Sequence, residues 1–242
     1  MIRTLLIIAG VSLLITGCST TCVKNSSDYL ARYTDKPIKI DGKLDDPAWS
    51  KAAVLPFRPL PKYECTETGK GKILWDDKYV YVGVELKDSD IVQESNEDWV
   101  RHFLTGDLVE VFLRPVGKRC YWEIYGTPNS KKTSFFYPSR GRMGLPSGFA
   151  HKVPGIVTAA TLQGTLNNMS DVDKSWTVEI AIPVKELERP GSKVAPGAKW
   201  MFHFGRYNYS AYLENKELST TGHPTTGSFH DFSMWNQLTF VK

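Results

Sequence analysis

The feature that most restricts what this chain can fold into is a succession of short alternating apolar runs, each closed by turn residues. Ile73-Leu74-Trp75 and Tyr79-Val80-Tyr81-Val82-Gly83-Val84-Glu85-Leu86 flank Asp76-Asp77-Lys78. Side chains of period two belong to strands, and a polar tripeptide rich in aspartate suits the turn of a hairpin. Similar runs span residues 107–114, 120–126, 133–137, 155–162, 176–182, 200–208 and 237–241. Helical periodicity is scarce; Pro183 opens one short helical turn through Leu187, because proline suits a first helical position. Eight or nine strands at this spacing predict an all-β fold, an antiparallel two-sheet β-sandwich with long loops.

Three stretches between the runs, residues 89–106, 139–154 and 210–234, are long for loops of a compact domain. Loops of that length are usually functional or disordered. Trp99, Phe103, Phe149, Phe229 and Phe232 favour order, since disordered segments are poor in aromatics.

The N-terminus gives an address. Arg3 and the apolar run from Leu5 to Ile15 read as a secretory signal, and the run is shorter than the roughly 20 apolar residues that span a bilayer. It ends in Leu14-Ile15-Thr16-Gly17-Cys18, which resembles a bacterial lipobox with Cys18 as the lipidated residue. The expected organisation is a signal peptide over 1–17, a lipidated tether over 18–34 and one domain over 35–242. Ser19 follows the cysteine, so the outer membrane is the expected destination in a cell with two membranes. An exported chain can form disulfides; with Cys22 in the tether, the expectation is a Cys65–Cys120 bridge or none. A net charge of +4 without a basic stripe argues against a nucleic-acid partner.

Five phrases resemble carbohydrate-binding module family 9 domains, in order along the chain. They begin with Ile40-Asp41-Gly42-Lys43-Leu44-Asp45-Asp46-Pro47-Ala48-Trp49, continue through the runs at 74–82, 106–113 and 175–183, and close with Ser228-Phe229-His230-Asp231-Phe232-Ser233-Met234-Trp235-Asn236-Gln237-Leu238. The resemblance implies a β-sandwich related to the DOMON-like domains, and a glycan or terminal sugar as ligand. It also implies a site in which two tryptophans sandwich a terminal sugar, with phenylalanine in place of one of them here. Phe229 takes one clamp position, and Trp99 takes the other if the preceding loop is longer than in the family. Glu110 matches a family glutamate, while Glu123 stands where the family carries arginine.

Alternation places Glu110 on a face with Leu108 and Phe112, and Glu123 on a face with Tyr121 and Tyr125. Ionised carboxylates suit the paired hydroxyls of a sugar. Equally, each carboxylate could pair with a nearby Arg or Lys, or the two could form the acid and nucleophile of a glycoside hydrolase, whose carboxyl groups lie roughly 5–9 Å apart. Arg206 could reach the ligand or bridge to one of these glutamates. The expected ligand-binding set is therefore Trp99, Glu110, Glu123, Tyr125, Arg206 and Phe229, lining one partly exposed cleft, with no catalytic residue assigned. Binding in support of separate carbohydrate-active enzymes is favoured over catalysis.

A DOMON-like haem-binding electron carrier is the competing class, with Met143, Met201, His102 and His203 as the available axial ligands. The loop aspartates Asp41, Asp45, Asp46, Asp88 and Asp90 would hold calcium only if six to eight oxygens converged. No spacing indicates zinc, and no cofactor is expected.

Overall fold

The computed structural model describes residues 28–149 and 152–242, so the signal segment, Cys18 and Cys22 lie outside the described residues. The strands in chain order are β1 (Asp28–Tyr33), β2 (Leu55–Pro56), β3 (Arg58–Pro59), β4 (Gly69–Trp75), β5 (Tyr79–Lys87), β6 (Leu108–Pro115) and β7 (Tyr121–Gly126). They continue as β8 (Lys132–Tyr137), β9 (Val157–Gln163), β10 (Ser175–Pro183), β11 (Lys199–Asn208), β12 (Glu217–Thr220) and β13 (Asn236–Val241). Two short α-helices, α1 (Pro146–Phe149) and α2 (Val184–Glu188), and four short 3-10 helices complete the regular structure of the described residues, with Pro183 at the N-cap of α2 rather than inside it.

The alternating runs become strands, and their turns behave as their chemistry requires. At the β4–β5 hairpin Asp76 Oδ1 accepts from the backbone amides of Lys78 and Tyr79, each at 2.7 Å, and Oδ2 accepts from the Tyr81 hydroxyl. This is the side-chain turn that aspartate favours.

The sandwich is all-β, but hydrogen bonding runs through one continuous sheet in the order β8-β7-β6-β11-β13-β1-β4-β5-β10-β9, rather than two separate antiparallel sheets. The joining element is β1, in the segment expected to be tether. It pairs in parallel with both β13 and β4. Its alternation is weak in sequence, yet Ala31 is fully buried, Tyr29 packs edge-on against Phe202, and Tyr33 packs edge-on against Trp75.

The sheet folds so that its halves pack face to face. Gly126 on β7 lies against Ile180 of β10, where a Cβ would come within 2.7 Å, and Gly71 on β4 lies against Phe204 of β11. Val82 and Val84, Val109 and Val111, Val178 and Ile180 fill the space between. The outer face of β5 is covered by residues 38–52, pinned by Glu179. Its carboxylate accepts from Trp49 Nε1 at 2.9 Å and from the amides of Asp41 and Gly42. The outer face of β7, β6 and β11 is covered by the chain's C-terminal segment, which packs Phe229, Met234 and Trp235 against Phe112 and Tyr121. That cover creates the cavity described below.

Of the two alternatives for Cys65 and Cys120, a bridge or none, the structure shows none: both thiols are free. Cys65 Sγ lies 3.5 Å from the Leu218 carbonyl, and burial pushes this thiol up to about 11. Leu218 pairs with Tyr207 and through it with Leu108, at one end of β6; Cys120 adjoins the Trp122–Leu113 pair at the other. Those levels are roughly 17 Å apart along a strand, far beyond the about 7 Å between Cα atoms that a disulfide tolerates.

Candidate functional site

A cavity of about 290 Å³ opens on the outer face of β6, β7, β8 and β11, closed on one side by residues 227–230. Glu110, Glu123, Tyr125 and Phe229 line it together, as expected from alternation and resemblance. In the β6–β7 register Glu110 faces Tyr125 and Phe112 faces Glu123. The glutamates thus occupy diagonal positions on one face, within about 7–8 Å of one another.

Both carboxyl groups are buried. Among the described residues, neither comes within ion-pair distance of a lysine or arginine. The Tyr125 hydroxyl donates to Glu123 Oε1, and Tyr137 also supports this carboxylate. Glu123 Oε2 makes no hydrogen bond; His230 Nε2 approaches it only to 3.7 Å. Burial, opposed by these tyrosine contacts, pushes the Glu123 carboxyl up to about 7. Burial and then the charge of Glu123 hold Glu110 well above the usual carboxylate range. A buried carboxylate lacking a positive partner favours its neutral form, and two neighbours share that cost.

Aromatic rings supply the rest of the wall. Phe229 is fixed by its carbonyl, which accepts from Trp235 Nε1 at 2.8 Å and lies 2.9 Å from His203 Nε2. Its ring rests over Gly205, where a Cβ would stand 3.2 Å away. Phe103, Phe135, Tyr137 and Tyr207 line the same space and lie outside the ligand-binding set expected from the sequence. Phe135 and Tyr137 alternate on β8, and Tyr207 shares the parity of His203 and Gly205 on β11. Their signal was alternation, usable once the neighbouring strands were known.

Two expected members lie elsewhere. Arg206 has the opposite parity to Gly205 and points between the sheet halves. It is 1% exposed and donates to Asp88 Oδ2 at 3.1 Å, to Asn208 Oδ1 at 2.8 Å and to the Lys87 carbonyl. It therefore serves a buried charge network rather than Glu110 or Glu123. Trp99 does not line the cavity. Its amide donates to the Lys132 carbonyl, its φ is +68°, and Lys132 and Lys152 place their ammonium groups 5.9 and 5.5 Å from its ring.

The histidines proposed for haem are committed. His203 is stacked on Phe112 at 4.5 Å, with its nitrogens 2.8 Å from Thr220 Oγ1 and 2.9 Å from the Phe229 carbonyl. His102 divides its nitrogens between the Glu97 carbonyl and Thr133 Oγ1, each at 2.9 Å. Neither retains a free nitrogen for iron. Of the loop aspartates, Asp41 pairs with Lys39, Asp46 accepts from the Lys39 amide, Asp88 pairs with Arg206, and Asp90 accepts from the Ala211 amide.

Fold and site together define an all-β sandwich domain with an acid-and-aromatic cavity under its C-terminal segment. Residues 40–242 match the family described as carbohydrate family 9 binding domain-like, and the chain belongs to that family. Among solved structures it is similar to a family 9 carbohydrate-binding module from Caldicellulosiruptor kristjanssonii in complex with cellotriose. The identity is 18% and the TM-score 0.63, covering 89% of this chain and 94% of that one. A module from the same organism in complex with glucose gives 16% identity and a TM-score of 0.60 over 88% and 95% of the two chains. Exoglucanase XynX of Acetivibrio thermocellus is 29% identical over 103 residues, which cover 43% of this chain but only 8% of that enzyme.

Proposed function

We propose that the protein binds carbohydrate in the cavity beside Glu110, Glu123 and Phe229. We propose further that Cys18 carries lipid holding it at the cell envelope, where it captures polysaccharide for separate enzymes. The observation that carries the binding function is the pair of buried carboxyl groups facing aromatic rings on one sheet face. A sugar has apolar C–H faces for the rings and hydroxyls for the acids, and ligand sites combine these features. Membership of the family supports saccharide as the ligand class, as do the cellotriose and glucose carried by the two Caldicellulosiruptor modules. A volume of about 290 Å³ is at the small end for ligand pockets and suits a single sugar ring.

The test is calorimetry with a glycan selected on an array, comparing the parent with Phe229→Ala and Glu110→Gln after circular dichroism confirms folding. Loss of a central contact should cost about 2 kcal/mol or more, a drop of at least roughly tenfold in affinity. Parent-like affinity in both variants would place the site elsewhere.

A further inference from the structure

We propose that the sugar entering this cavity carries a protonated amine, as a hexosamine residue does, and that Glu123 together with Glu110 forms the seat of its ammonium group. This rests on the cavity being the carbohydrate site and names the class of sugar that it takes.

What marks the seat is a missing positive charge. Two carboxyl groups from adjacent strands share one buried face, and no lysine or arginine among the described residues is within ion-pair distance of either. Glu123 is 3% exposed and its Oε2 has no hydrogen-bond partner. His230 does not fill the vacancy. Burial, helped by the charge of Arg140, pushes its imidazole down to about 4, and its Nδ1 is engaged 3.0 Å from the Tyr121 hydroxyl. Arg101 also lines the cavity. Any hydroxyl could donate to Oε2, yet it would leave the charge uncompensated. An ammonium brings both a charge and three donors. The remaining wall suits a cation as well, since Phe135, Tyr137, Tyr207 and Phe229 present π-systems whose negative faces attract positive charge.

The groups facing the acid pair leave a simple pH signature. Tyr125 from β7, Tyr137 from β8 and Tyr207 from β11 are all pushed up by burial and stay neutral. His230 stays neutral for the reason given. Around the value of about 7 to which Glu123 is raised, this carboxyl is therefore the part of the cavity that changes charge, and amine affinity should rise as it ionises.

Calorimetry of the parent with β-1,4-linked glucosamine disaccharide, its N-acetylated counterpart and cellobiose supplies the test. It is run at about pH 5 and about pH 7 and repeated with Glu123→Gln and Glu110→Gln. The expected result at neutral pH is at least a tenfold preference for the free amine, lost at acid pH and in Glu123→Gln. Equal or tighter binding of the neutral disaccharides would overturn the ammonium seat while leaving saccharide binding intact. An amine preference surviving both glutamine variants would also overturn it. Failure of all three sugars to bind, with other glycans failing on an array, would overturn the carbohydrate site along with it.

Discussion

Replacing Glu123 by glutamine should make the folded protein more stable at neutral and alkaline pH. Glutamine keeps the shape and keeps an oxygen to accept from Tyr125. It removes a carboxyl whose ionisation the fold resists, since burial raises it to about 7. In the unfolded chain the same group would lose its proton near the ordinary glutamate value of about 4.3. Between those limits the native state binds more protons than the unfolded state, so stability falls as pH rises through the window. Below it both states are protonated and the loss is absent. A difference of two to three pKa units corresponds to on the order of 3 kcal/mol, shared with Glu110 because the two acids are neighbours. For a domain of this size that is a rise in Tm of roughly 6–12 °C above about pH 7, shrinking towards zero near about pH 4. Thermal unfolding of parent and variant across this range measures it. A variant destabilised by the same amount at every pH would show that the carboxylate is compensated by a partner, and the account of the cavity as charge-deficient would fail.

Other outcomes follow from where the remaining residues lie. Trp99→Ala should leave glycan affinity at the parent value, because the ring stands outside the cavity between Lys132 and Lys152; calorimetry decides this. Arg206→Met should destabilise the domain by about 3–5 kcal/mol in urea unfolding, since it strands the buried Asp88, whose carboxyl burial already raises to about 6. Cys18→Ser should move the protein from the membrane to the soluble fraction, and unchanged membrane association would refute lipidation at that residue.

How much of this was legible in the sequence depends on whether the information is local. Strand parity is local, so the facing of Glu110 with Leu108 and Phe112, and of Glu123 with Tyr121 and Tyr125, could be read directly. The long strands were visible for the same reason. Short strands such as β3 and β12 carry no such pattern; β12 is a strand because it pairs with β11, and β3 because it pairs with β12. β1 was hidden by its Ser/Asn-rich surroundings and exists because parallel partners wait on both sides of it. Arg206 shows the limit most clearly. Its residue type suggested a partner for Glu110, but the β6–β11 register sets Gly205 opposite Glu110 and Arg206 opposite Val109, on the core side. A shift of one residue exchanges the faces, and only the pairing reveals it.

The same register explains why the cavity exists. Facing Glu110, β11 offers Gly205, and the missing side chain leaves room for Phe229 to be laid down by a segment more than a hundred residues distant in the chain. An apolar pair at Glu110 and Glu123 would have continued the cluster of Leu108, Phe112, Tyr121 and Phe135 without the cost of two buried charges. Stability alone therefore favours residues other than those present. What the acids give in return is a set of acceptors, one of them unpartnered, at the floor of a cavity walled by rings. That is a poor way to hold a sandwich together and a good way to hold a ligand that carries donors, and the gain in stability expected of Glu123→Gln and the loss of binding should be two readings of one substitution.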